Sequence, residues 1–125
     1  MANKLTICGD LSASGNIYGT MPGANHVNTN CGTNNTWSGV DAFNSIVAGT
    51  SQGTAYGYRA LYTTADNDYN SAFGACALYT NNGGYSNAAF GASALQNNTT
   101  GVHNTAVGAF ANKLNTTGGQ NVAIG

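Results

Sequence analysis

The sequence predicts an all-β fold, a parallel β-solenoid or β-roll built of 17-residue coils. Three observations predict it. One motif recurs at fixed spacing, its invariant slots hold alanine, glycine and large apolar residues with no helical stripe, and the residues between are polar turn formers. The anchoring glycines Gly57, Gly74, Gly91, Gly108 and Gly125 follow one another at intervals of 17 residues without an insertion. A fixed short period marks stacked units, each of which buries its apolar surface only against the next.

The chain divides into an N-terminal segment, residues 1–34, and the solenoid, residues 35–125, with regular coils from residue 53. In the first segment, residues 4–8 and 16–18 read as short extended pieces separated by the turn chemistry of Gly9-Asp10 and Ser14-Gly15. Residues 20–35 are rich in asparagine and hold the single proline, Pro22, which reads as a loop leading into the coils. Residues 35–43 align with 53–61 at an offset of 18, a first coil with one extra residue. Trp37 there takes an alanine slot, which suits an end cap.

In the regular coils, alanine stands two residues before each glycine, at Ala55, Ala72, Ala89, Ala106 and Ala123, and three residues after it, at Ala60, Ala77, Ala94 and Ala111. The slot directly before the glycine holds Tyr56, Phe73, Phe90, Val107 and Ile124. Glycine and β-branched residues disfavour helix. Residues 71–78 are apolar or small at both parities of the alternation, so the strand is expected to be buried on both faces. Phe73, Phe90, Val107 and Ile124 are expected to stack as a ladder, with coils about 4.8 Å apart. Leu61, Leu78 and Leu95 form a second ladder, which Asn112 interrupts and which Phe110 or Leu114 is expected to complete. The slot of Asn67, Gly84, Gly101 and Gly118 reads as a left-handed turn. Asn70, Asn87, Asn104 and Asn121 open successive copies, and their recurrence predicts a side-chain ladder.

Composition bounds the partners. Of 125 residues, 42% are apolar, but much of that is alanine, and only 6% are charged, against about 25% in ordinary soluble proteins. So thin a stack is expected to expose an apolar face unless identical chains cover it, which predicts an elongated oligomer. The formal charge is −1, from Lys4, Arg59 and Lys113 against Asp10, Asp41, Asp66 and Asp68, which gives nucleic acid no basic patch. No stretch reads as a transmembrane span or a signal peptide, so synthesis in a cytoplasm without the usual export is expected. Cys8, Cys31 and Cys76 are odd in number and scattered, against a disulfide framework, and Cys76 is expected to be a small buried filler.

The motifs Asn104-Thr-Ala-Val-Gly108, Leu114-Asn-Thr-Thr-Gly118 and Asn121-Val-Ala-Ile-Gly125 resemble the repeats of bacteriophage tail fibres and related virion fibres. They are also similar to the shorter head repeats of bacterial trimeric autotransporter adhesins. Residues 9–19 look like a segment common in phage fibre proteins. The resemblance implies a homotrimer of parallel β-rolls about a common axis, left-handed in the adhesins, that attaches a virion to a host surface. Its partners are further copies of itself, other fibre proteins at the ends, and a host-surface glycan. The sequence lacks an autotransporter's signal and anchor, which favours the virion over a bacterial cell surface or an extracellular filament. It stops inside a repeat, which favours a longer fibre over a last coil capped by another chain.

No catalytic constellation stands out, and no cofactor or metal site is predicted. Glutamate is absent, as are phosphate-loop, Cys-x-x-Cys and His-Glu-x-x-His patterns. His26 lies in the leading loop and His103 in a variable slot shared with Tyr69, Ser86 and Gln120, which reads as solvent-facing. Asp66 and Asp68 offer oxygens for calcium but read as a solvated turn. The sequons at Asn34, Asn97, Asn98 and Asn115 are expected by chance in a chain this rich in Asn and Thr. For a glycan, Tyr69, Tyr85 and His103 are the candidate contacts, since tyrosine rings stack on sugars; the plainer reading packs them over the ends of their own coils. Thr99-Thr100 and Thr116-Thr117 suggest an ice-binding face, but Asn82-Gly83 and Ala65-Asp66 break it in the earlier coils.

Overall fold

Each coil begins on a three-residue strand that a glycine ends. The computed structural model describes residues 35–46, 52–64 and 69–125. The extended pieces expected at 4–8 and 16–18, the loop 20–34 and the residues Cys8, His26, Cys31, Asp66, Asn67 and Asp68 lie outside the described residues. The strands are β1 (Thr36–Ser38), β2 (Ser45–Ile46), β3 (Thr54–Tyr56), β4 (Thr63–Thr64), β5 (Ser71–Phe73), β6 (Thr80–Asn81), β7 (Ala88–Phe90), β8 (Thr105–Val107) and β9 (Val122–Ile124). They form a six-stranded sheet, β1-β3-β5-β7-β8-β9, and a three-stranded one, β2-β4-β6. Every pairing is parallel and joins like slots of successive coils: Ala55 faces Ala72, Ala72 faces Ala89, and Ala89 faces Ala106. Trp37 faces Ala55 across the 18-residue offset. The protein is a β-solenoid.

The glycine after the strand is fixed twice over. Gly57, Gly74, Gly91 and Gly108 have φ of 131°, 137°, 140° and 123°, a region that side-chain-bearing residues rarely enter. A Cβ on Gly74 would also lie 2.5 Å from the carbonyl oxygen of Gly91 on the next coil. From there the chain rounds an arc in which every second residue is left-handed, as at Arg59 and Leu61 (φ 53° and 48°) or Cys76 and Leu78 (58° and 48°). None of the non-glycine residues at positive φ is β-branched, in keeping with the extra crowding such side chains meet there. The arc keeps its backbone paired by bonding to both neighbours. Cys76 N–H donates back to Tyr58 O at 2.8 Å, and Leu78 N–H forward to Ala94 O at 3.0 Å.

The interior has an apolar half and a polar half. The apolar half is lined by Ala55, Ala72, Ala89 and Ala106, by Ala60, Ala77, Ala94 and Ala111, and by Leu61, Leu78 and Leu95, all buried, while Ala123 on the last strand is half-buried. Phe43 heads the leucine column, with Trp37 packed against the cluster. Neither Phe110 nor Leu114 completes that column below Leu95, contrary to expectation. Phe110 takes the left-handed slot of Cys76 (φ 62°), and both side chains are exposed. The strands are buried on one face only, again contrary to expectation. Their alanines point in, while Phe90 and Val107 are each 41% exposed and Ile124 is 80% exposed. Among the described residues, nothing covers the outer face.

The polar half is built on asparagine. Asn87 N–H and Nδ2 donate to Asn70 Oδ1 at 2.9 and 3.2 Å, and Asn104 repeats both bonds to Asn87 at 3.0 and 3.1 Å. A second column, Asn81, Asn98 and Asn115, links Nδ2 to Oδ1 at 2.9 and 2.7 Å. Both columns converge on one carbonyl per coil, since Gly101 O accepts from Asn87 Nδ2 at 2.8 Å and from Asn98 Nδ2 at 2.9 Å. This corrects the turn slot. Gly84, Gly101 and Gly118 are not among the residues at positive φ. A Cβ on Gly84 would lie 2.5 Å from Gly101 O and would strike the asparagine amides, so close approach, not handedness, demands glycine.

Candidate functional site

Where the interior is so fully occupied, chemistry is left to the outside. The outer face of the six-stranded sheet carries two columns. One runs through Thr54, Ser71, Ala88 and Thr105, partly exposed and small. The other runs through Tyr56, Phe73, Phe90 and Val107, and its rings lie parallel: Tyr56 on Phe73 at 5.3 Å and 10°, Phe73 on Phe90 at 5.0 Å and 6°. The ring spacing follows the pitch of the coils. Such offset stacks add about 0.5–1.5 kcal/mol per pair beyond their area. They also leave an apolar ridge along the stack.

Of the three candidate glycan contacts, Tyr69 is 61% exposed and Tyr85 45% exposed, and His103 is exposed as well. Tyr69 and His103 share the left-handed slot before the asparagine (φ 57° and 56°). The structure brings Tyr85 and His103 together, ring edge to face at 5.3 Å, with His103 N–H donating to Tyr85 O at 3.1 Å. Cys76 is half-buried, not the buried filler expected, because its left-handed slot lies at the outer side of the arc. Thr99 Oγ1 donates to the Thr116 carbonyl at 2.9 Å, which ties one hydroxyl of the threonine pairs to backbone.

A cluster that the residue patterns did not single out sits on the first coils. Arg59 Nε–H donates to Asp41 Oδ2 at 3.3 Å. Its guanidinium carbon lies 4.9 Å from the Tyr58 ring centre and 5.2 Å from that of Tyr62, which stacks on Tyr79 at 4.9 Å and 4°. The hydrogen bond to Asp41 raises the guanidinium pKa, against an opposing desolvation and with help from the nearby Tyr58 and Tyr79. The available signal was that Asp41 and Arg59, opposite charges in a chain with few, occupy one slot of adjacent coils.

Among the described residues no group of three or more His, Cys, Asp or Glu side chains is placed to hold a metal ion, and no helix is long and apolar enough to cross a membrane. No protein-family model, no curated protein and no solved structure matches the chain.

Proposed function

We propose that this chain is a non-catalytic structural segment of a virion fibre or spike, assembled as a homotrimer and serving attachment to a host surface. The observation that carries the reading is the uncovered column of Tyr56, Phe73, Phe90 and Val107 on the outer face of the long sheet. Its pitch is the pitch of the coils, so the surface that meets it rung for rung is one with the same repeat, which a second copy supplies. Covering each ring contributes on the order of 1 kcal/mol. The gain repeats at every coil. A stack held by interlocked ladders is stiff along its axis, which suits a spacer between a particle and the surface it touches.

The test is the solution mass of the purified chain by light scattering, with an unheated denaturing gel beside it. A trimer that resists detergent until boiled is expected. In the double variant Phe73→Ser, Phe90→Ser, whose side chains lie outside the solenoid interior, a folded monomer with native circular dichroism is expected. A wild-type chain that is a stable monomer overturns the assembly.

A further inference from the structure

The ridge runs the length of the stack, but the arginine cluster occurs once. At the rungs after Arg59 the same slot holds Cys76, Ser93 and Phe110, and the rungs after Tyr58 hold Ala75, Ala92 and Ala109. Those coils close with the same backbone bonds. Arg59 N–H to Val40 O, Cys76 N–H to Tyr58 O and Ser93 N–H to Ala75 O measure 2.9, 2.8 and 2.8 Å. Stacking therefore does not require the cluster. Departure from a repeat at exposed positions, in a chain with 6% charged residues, calls for another reason.

We infer that the corner formed by Tyr58, Arg59 and Tyr62 binds a saccharide carrying one carboxylate. The guanidinium offers five N–H donors in a fork that fits a carboxylate, and the described contact with Asp41 uses Nε alone. The Arg59 side chain is 37% exposed. Asp41 and the two rings hold it in one place, so ordering it on binding costs less. Tyr58, 47% exposed beside the guanidinium, offers the part of its ring that Arg59 does not cover, with a polar tip, to the C–H face of a pyranose. A free anion gains only the fork here, whereas a carboxylate on a sugar ring gains both the fork and the stack.

The inference deepens the attachment reading by naming a ligand class, and its test is separate from that of assembly. Methyl β-glucuronide is titrated into the full chain by saturation-transfer NMR, with methyl β-glucoside and acetate as controls. Glucuronide is expected to bind about tenfold tighter than either control, and Arg59→Gln to remove that advantage. Arg59→Lys, which keeps the charge and loses the fork, is expected to fall between and guards against a folding defect in the first variant. Equal binding of glucuronide and glucoside, acetate binding as tightly as glucuronide, or an unchanged affinity in both variants overturns the inference. So does a wild type that binds no sugar while Arg59→Gln loses assembled mass, which would seat a second copy's carboxylate in the fork. A negative titration leaves the gel result standing, and a monomer on the gel leaves a positive titration standing.

Discussion

Asn87 uses both ends of its amide. The Nδ2 group donates to Asn70 Oδ1 and Gly101 O, and Oδ1 accepts from the N–H and Nδ2 of Asn104, all buried. Asn87→Ala strands several buried polar groups at about 1–3 kcal/mol each, so thermal melting should show a loss of about 3 kcal/mol or more. Asn87→Asp keeps the shape but turns a carboxylate towards Gly101 O. Burial and that acceptor raise its pKa above the unfolded value, so stability is retained below the unfolded carboxylate pKa and lost as pH rises through the folded one. Melting between about pH 3 and pH 7 checks this, and equal stability at both ends would mean that the side chain reaches water. Gly91→Val meets Gly108 O at a φ of 140° and should yield no soluble protein of native size. The first asparagine column was legible because it opens each copy. The second, Asn81, Asn98 and Asn115, carries the same 17-residue spacing but sits amid turn residues, where an asparagine needs no special reason. The left-handed leucines gave no signal at all, since leucine has no side-chain group that marks such a backbone.

At the scale of the element, the arc and the turn of a coil are matched in size. Asn35 Oδ1 accepts from Gly53 N–H at 2.7 Å, so Gly53 stands where later coils place Asn70, Asn87 and Asn104. The reason lies across the coil. A Cβ on Gly53 would strike the ring of Phe43, which heads the leucine column and reaches farther than Leu61 or Leu78. Phenylalanine with glycine thus replaces leucine with asparagine. Gly53→Asn alone should destabilise by about 1–3 kcal/mol through overpacking, and adding Phe43→Leu should recover most of the loss. Melting of the two single variants and the double variant checks it, and simple additivity would show that the sites do not meet. Both residues were readable in their columns, but the exchange between columns depends on a distance across the coil that no spacing along the chain encodes. The expected two-faced burial of the strands failed for a like reason. Alternation shows that both faces are apolar, but spacing along one strand does not encode whether anything lies over the second.

For the whole molecule, each coil touches only its neighbours, so stability is close to a sum of coils and the interfaces between them. Deleting residues 88–104 removes one period and joins Asn87 to Thr105 in register. That variant should fold with native-like circular dichroism and a melting temperature lowered by several degrees. Deleting residues 88–103 shifts every later strand by one and turns its alanines outward, and this variant should not fold. Equal behaviour of the two would mean that the period does not set the packing. The asparagine columns also give the stack a direction. Among the described residues, in each bond between asparagine side chains the later coil donates and the earlier one accepts, and chains of such bonds polarise one another. A cut between two such coils therefore leaves unlike asparagine columns, bare side-chain hydrogens on one face and bare side-chain oxygens on the other, while the backbone bares both kinds of group on each face, and severed halves can rejoin their asparagine columns in one orientation only.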